Sequence, residues 1–352
     1  MNLQIDAPIV PLILPAGYSA RPATLADVSE VVALMNLSSQ ALLGVDGNTV
    51  DEWATEWQTP GFELSANTRV VVAPGGELAG YANLWDNAPH VQFEQLGRVH
   101  PNHTGRGVGS YLLAWVEQRA SEILPMAPHS ARVTLVSWVN SLDLESLRLL
   151  RDHGHQHVRS NFRMVIDLDP SAPPAPPAWP AGVGVRAFVP GQDDRATLEV
   201  IRAAFRDHWG HVDQPFEQDL QRWTHHWRND PEFDPSLWFL AVAGDEVIGT
   251  ALSRMNLPEA PDMGWVYSLG VLRAWRRQGV AGALLQHCFA QLGQRGRRRV
   301  GLGVDADSLT NALHLYEKAG MRSDPTHTYQ VWEKELRPGV EWGTTELENN
   351  NK

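Results

Sequence analysis

Cysteine is almost missing from this chain: Cys288 is the only one in 352 residues. A single thiol excludes an intrachain disulfide and any metal cluster built on cysteine. It falls on the apolar stripe of a helical pattern, so it reads as a small buried hydrophobe. Cationic residues are also short, 29 Lys and Arg against 41 Asp and Glu, for a formal net charge of −12. Holding a nucleic-acid backbone wants a basic surface, so a general nucleic-acid binder is excluded. The local run Arg295, Arg297, Arg298 and Arg299 reads as a solvated helix end or as a group facing a cofactor phosphate. The N-terminus is apolar but carries no basic stretch and is broken by prolines, which fits neither a secretory signal nor a membrane span. A cytoplasmic protein with no membrane partner is expected.

What is present is globular, with 43% hydrophobic and 20% charged residues, and too long for one ordinary domain. The chain breaks at P-S-A-P-P-A-P-P-A-W-P, residues 170–180, where proline fixes the backbone and removes donors, giving a stiff extended linker. The same order of features stands on either side. Arg21 and Arg186 each end a strand before a helix. The hairpin 69–84 has its counterpart in 238–252, and L-G-R-V-H-P-N-H-T-G-R-G-V-G matches L-G-V-L-R-A-W-R-R-Q-G-V-A-G. The offsets, 165 for Arg21/Arg186, 169 for Gly80/Gly249 and 172 for Gly107/Gly279, drift as loop lengths change inside a domain-sized duplication. The expected division is 1–169, a linker 170–180, a second domain 181–336 and a polar tail 337–352 expected to be disordered.

The most informative stretch runs from Val266 to Met321. A β-prone run ending at Val271 is followed by Arg276-Arg277-Gln278-Gly279-Val280-Ala281, then by an apolar stripe of Val280, Leu284, Cys288 and Leu292 at helical spacing. Unpaired N–H groups and the helix dipole at such an N-terminus favour anions, and small residues let a phosphate approach the backbone. Strand, small-residue turn and helix together support a pyrophosphate site, with an ordinary β–α connection as the alternative.

R-x-x-G-x-A after a strand, then N-A-L-H-L-Y-E-K-A-G-M about thirty residues on, resembles the GNAT superfamily of N-acetyltransferases, and the resemblance spans nearly the whole chain. It implies an α/β (α+β) fold of two tandem domains. Each would have a mixed, mostly antiparallel twisted sheet splayed between its fourth and fifth strands, with helices on both faces. It also implies acetyl-CoA as acyl donor, no metal, and a small-molecule amine as acceptor. By the resemblance Arg276, Arg277, Gln278, Gly279, Val280, Ala281 and Gly282 bind the pyrophosphate, while Leu269 and Val271 offer main-chain groups to the pantetheine. Asn311 would contact the cofactor, the Val271 N–H would polarise the thioester carbonyl, and Tyr316 would protonate the departing thiolate. Tandem members include the mycothiol acetyltransferases, which acetylate a cysteinyl amino-sugar, and this arrangement is similar to theirs. A non-catalytic acyl-CoA-binding sensor is the rival from another class. Monomer and homodimer stay open.

The halves differ chemically. With Gly154 set against Gly320, Leu150 stands where Tyr316 does and Glu145 where Asn311 does. The first half keeps Val99, Arg106, Gly107 and Gly109, a possible second CoA site, but has lost the proton donor, so it is expected to be degenerate. The strand Trp265–Leu269 has no carboxylate to act as base, although Glu94 stands in the place of Val266 in the first half. Candidates for the base are His208, His211, Asp262, Asp305 or a water chain. The segment Phe205–Glu217 with Trp223, Trp227 and Phe233 reads either as a pocket for a cationic acceptor or as the core of a small helical subdomain.

Overall fold

The computed structural model describes residues 12–169, 171, 174–306 and 312–342. They form two compact units. Of the described residues, the first unit holds those within 12–159, 212–215 and 329–342, and the second those within 160–211 and 216–328.

In the first unit β1 (Ser19–Arg21), α1 (Val28–Leu43), α2 (Val50–Trp57) and α3 (Leu64–Asn67) precede β2 (Thr68–Val72), β3 (Leu78–Trp85) and β4 (Gln92–Val99). Then come α4 (Val108–Ile123), β5 (Val133–Asn140) and α5 (Leu144–Asp152), followed by β6 (Gln156–Asp167), which passes into the second unit at Ser160. In the second, β7 (Gly184–Ala187), α6 (Asp194–Phe205), α7 (Phe216–Arg228), β8 (Trp238–Ala243), β9 (Glu246–Arg254) and β10 (Met263–Val271) lead into α8 (Val280–Gln294). The chain ends with β11 (Arg299–Asp305), α9 (Ala312–Lys318) and β12 (Arg322–Arg337).

Strand order is β1-β2-β3-β4-β5-β12 in the first sheet and β7-β8-β9-β10-β11-β6 in the second. Each has antiparallel pairs throughout except one, β4–β5 in the first and β10–β11 in the second. Alternation along a strand places helices on both faces. Phe239 and Ala241 of β8 join the core under α8, while Trp238 and Leu240 join the core shared with α6 and α7. Val71 and Val70 divide likewise between the core under α4 and the core under α1 and α2. The stripe Val280, Leu284, Cys288 and Leu292 is buried, and burial pushes the Cys288 thiol up to about 12.

The closing strand of each sheet comes from the other half of the sequence. β12 pairs antiparallel with β5, Tyr329 opposite Asn140 through Arg337 opposite Val133. β6 pairs antiparallel with β11, Arg299 opposite Asp167 through Asp305 opposite Asn161. The compact units therefore depart from the linear division at both strands: residues 160–169 fall in the second unit and residues 329–336 in the first. The tail departs too. Val340 exchanges backbone hydrogen bonds with Ser130 and Arg132, and Glu341 pairs with Arg132, so residues up to 342 are held beside β5. Residues 174–180 form no strand, but Trp179 packs on the core under α8 and Pro180 lies beside Gly279.

The duplication recurs in a local device. Arg21 pairs bidentately with Asp27, and Asp27 accepts the Thr24 N–H; Arg186 pairs with Asp193, which accepts the Val189 N–H. In each, a nearly buried carboxylate fixes the turn into the first helix and is held below the usual carboxylate range by its arginine. Asp193→Asn is expected to cost about 1.5–3 kcal/mol in a denaturant titration at pH 7, the range for a hydrogen bond to a charged group. Because the folded value is depressed, this stabilisation is full above about 4 and fades as pH falls through the folded value. The difference between wild type and variant should therefore shrink in acid.

Candidate active site

The β10–β11 ladder is short. Met263–Val266 pair in parallel with Arg299–Leu302, and no pairing follows, so the strands part beyond Val266. β10 stays on β9 to its end, with an irregularity between Val266 and Ser268. The Leu272 N–H bonds to the Ile248 carbonyl. Antiparallel alternation then turns the main-chain groups of Gly270 toward β9 and those of Leu269 and Val271 toward the opening. The Val271 carbonyl is taken by Arg276 Nε at 3.3 Å. The Val271 N–H remains directed into the gap.

The turn that follows is a cradle. Arg277 has φ 60° and Gly279 φ 90°, two left-handed residues at alternate positions, and Gly279 caps α8. Such a turn brings successive N–H groups into one concavity suited to an anion. Gly105 and Gly107, 172 positions earlier, have φ 70° and 89°. Where the first unit uses glycine, the second holds an arginine in a conformation costing roughly 1–2 kcal/mol. Arg277 is exposed and has no ion pair with a described residue. That is strain retained beside a cationic head.

Arg276 does something else than expected. Its Nη1 donates to Asp207 Oδ2 at 2.7 Å and its Nη2 to the Ala204 carbonyl at 2.9 Å. With Nε on Val271, the guanidinium is committed to bracing the end of α6 against the end of β10. Gly270 makes that approach possible, since a Cβ there would lie 2.9 Å from the Ala204 Cβ. Gln278 is likewise tied to the Ala274 carbonyl. Val280 is buried, Ala281 packs at the edge of the same core, and a Cβ on Gly282 would touch Leu315 of α9.

Tyr316, on α9, lies 8% exposed in one core cluster with Val266, Val271, Val280 and Leu302, and Leu269 and Ala281 pack against it. Burial pushes its hydroxyl up to about 12, so it holds its proton at neutral pH. That hydroxyl has no hydrogen bond to a described residue. Leu150 is buried at the corresponding place in the first unit. Asn311 lies outside the described residues.

Of the base candidates, His208 and Asp305 come within electrostatic reach of each other, together with Asp207, His211 and Arg276. Burial lowers the His208 pKa and Asp305 opposes the change. Asp305 sits three residues past the last β10–β11 pair, on the diverging part of β11. Asp262 is misplaced: it precedes β10, nine positions before Val271, which puts it roughly 30 Å along the strand. Trp223, Trp227 and Phe233 join Phe188 and Trp238 in the core on the second face of the sheet, so they build structure there. Sequence reasoning missed Tyr267. It stands at the irregularity in β10, against Trp238 at 5.8 Å between ring centroids. The residue is 44% exposed, while protein crowding around its hydroxyl shifts the pKa upward, with Asp230 adding to the shift and Arg254 opposing it. Its signal in the sequence is position, the tyrosine directly after Val266.

The first unit repeats this opening. β4 and β5 pair only from Gln92 opposite Thr134 to Gln95 opposite Ser137. Beyond them lies a cavity of about 930 Å³ whose walls include Val99, Gly107, Gly109 and Glu145. Arg106 is outside that wall and reaches the Tyr18 hydroxyl at 3.4 Å. Among the described residues no group of three His, Cys, Asp or Glu side chains converges as a metal site, and no helix is long and apolar enough to cross a membrane.

Comparison with known proteins meets this geometry. The acetyltransferase (GNAT) family model matches twice, over residues 33–135 and 198–321. The chain belongs to the GNAT acetyltransferase family. It is 32% identical to a mycothiol acetyltransferase of Streptomyces scabiei, over 84% of this chain and 89% of that one. A GCN5-related N-acetyltransferase from Sphaerobacter thermophilus is 37% identical, with a TM-score of 0.75 over 95% of this chain and all of that one. A tandem GNAT protein of the clavulanic acid pathway shares the fold at 18% identity, with a TM-score of 0.65 over 92% of this chain and all of that one. The splayed sheets with helices on both faces are those of a tandem GNAT protein, and the chain is an acyltransferase.

Proposed function

We propose that the second unit transfers an acetyl group from acetyl-CoA to the amine of a small molecule by direct attack. The observation that carries this reading is the β10–β11 opening: the Val271 N–H points into it, a doubly left-handed turn follows Val271, and the buried, protonated Tyr316 shares one core cluster with Val271 and Val280. The N–H groups at Gly279 and Val280, with Arg277, hold the pyrophosphate, while Arg276 and Gln278 position the turn. Leu269 and Val271 hold the pantetheine arm through the main chain. The Val271 N–H stabilises negative charge growing on the thioester oxygen as the amine nitrogen bonds to the carbonyl carbon. The carbon–sulfur bond breaks, and Tyr316 gives its proton to the sulfur. The attacking nitrogen loses its proton to His208, backed by Asp305.

His208 must be neutral to act, and burial favours the neutral ring. The kcat/KM profile is therefore expected to stay level through neutrality and fall only below about 6.5, the ordinary histidine value. His208→Gln should abolish that acid limb. Persistence of the limb in the variant would pass the role to a water chain. Thiol release on adding an acceptor panel tests the activity itself. The relatives named mycothiol acetyltransferases, similar over most of the chain, favour a cysteinyl amino-sugar as the first acceptor to try.

The first unit is assigned a retained acyl-CoA cradle without transfer. Its cavity fits the size of a cofactor site, but Leu150 offers no proton and Glu145 sets a carboxylate in the wall.

A further inference from the structure

The end of β4 differs from the end of β10 at one position. Gly80 pairs with Val99 as Gly249 pairs with Val271, so Gly97 answers to Leu269 and Arg98 to Gly270. In the second unit α6 closes over that position, with the Ala204 Cβ 2.9 Å from a Cβ added at Gly270. In the first unit the side chain of Arg98 stands there, in the wall of the cavity of about 930 Å³. We propose, building on the acyl-CoA cradle assigned to the first unit, that Arg98 makes its cavity a site for an acyl-CoA whose acyl chain ends in a carboxylate.

Arg98 is a half-buried cation without an ion pair. Its Nη1 donates to the Gly97 carbonyl at 2.8 Å, and the guanidinium makes no other hydrogen bond or ion pair with a described residue. A guanidinium offers its N–H donors as a planar fork, so most of that fork is left for water or a ligand. Crowding by protein lowers the Arg98 pKa, and Asp143 and Tyr329 oppose the change from a distance. Asp143 is engaged elsewhere, accepting the Ser146 N–H at 3.0 Å to cap α5. The other described cation of the wall, Arg148, lies exposed on α5 and 3.6 Å from Asp152. A ligand carboxylate would take two parallel N–H bonds from Arg98, the geometry that a guanidinium serves best.

Position decides which part of the ligand meets it. Gly97 and Val99 answer to Leu269 and Val271, the residues assigned to the pantetheine arm, and Arg98 stands between them. Alternation sends its side chain to the opposite face of β4, the face of its partner Tyr81 and of the core under α1 and α2. The left-handed turn at Gly105 and Gly107 precedes α4, which packs on the other face, so the phosphates and Arg98 are kept apart. A chain passing through the β4–β5 opening from the pantetheine side reaches Arg98 with its far end. Leu42, Leu96 and Trp138 of the same cavity give its methylenes an apolar wall. An acetyl group would leave the guanidinium unfilled. With Leu150 at the donor position no transfer step is assigned.

Isothermal titration of the full chain carrying Gly279→Val, which weakens the second cradle, tests this with acetyl-CoA, pentanoyl-CoA and glutaryl-CoA. The last two have equal carbon counts and differ at the chain end, methyl against carboxylate. Glutaryl-CoA is expected to bind about tenfold tighter than pentanoyl-CoA or more, the worth of a hydrogen bond between charged groups. Arg98→Met should erase that preference, and Arg98→Lys should keep part of it. Acetyl-CoA should bind all three chains alike. Adding Gly107→Val should weaken every ligand, which places the binding in the first unit. A glutaryl-to-pentanoyl ratio near one, or a preference that survives Arg98→Met, would overturn the inference and leave the cradle standing. Acetyl-CoA binding indifferent to Gly107→Val would instead remove the cradle, and the carboxylate site with it.

Discussion

Tyr316→Phe should lower kcat by a factor of about 10 to 1,000 while leaving the KM for acetyl-CoA near its wild-type value, the signature of a group acting only in the transition state. The substitution removes one oxygen from a side chain that is 8% exposed and otherwise part of the core, so the fold has little reason to respond. Because the hydroxyl makes no hydrogen bond to a described residue, its loss strands no partner. A thiolate leaving without a nearby proton must wait for water. Donors whose thiol leaves readily should narrow the gap between wild type and variant. A variant with unchanged turnover would remove Tyr316 from the chemistry and return the leaving group to solvent.

Much of this site can be read from local sequence because its parts are local. The stripe Val280, Leu284, Cys288 and Leu292 announces α8, and it is buried residue by residue. The turn before it is legible through Gly279, since a left-handed cap asks for glycine. Arg276 misleads for the opposite reason. A cation in an anion-binding turn invites a phosphate, but its carboxylate partner Asp207 lies 69 positions earlier, where no local pattern connects them. The strand exchange is hidden likewise: the alternation of β6 and β12 specifies a buried face, not which strand lies alongside. A cavity beside Glu94 is hidden too, because its indole walls, Trp53, Trp85 and Trp138, come from α2, β3 and β5. Function written in a turn is visible from one segment; function written in a cavity needs every wall.

Gly279→Val is expected to raise the KM for acetyl-CoA about 30-fold or more and to change kcat far less. Gly279 has φ 90°, and a β-branched residue there is a strong outlier, so the turn must either carry more than about 2 kcal/mol of strain or reshape. Reshaping turns the N–H groups of the cradle away from one another, and about 2 kcal/mol is already some 30-fold in affinity. The neighbouring space is not the obstacle, since the nearest atom to an added Cβ is Pro180 Cγ at 3.8 Å. Strain alone must be separated from loss of the site. Gly61 has φ 89° with nothing within 4 Å of an added Cβ, so Gly61→Val carries a matched backbone penalty in the other unit, at a residue given no part in cofactor binding. Its thermal midpoint should fall as that of Gly279→Val does, with the KM unmoved. Gly107→Val, at φ 89° in the first unit, decides which unit the measured turnover belongs to. If the KM effect follows Gly107 and spares Gly279, transfer belongs to the first unit, and the assignment of chemistry to the half that keeps Tyr316 fails.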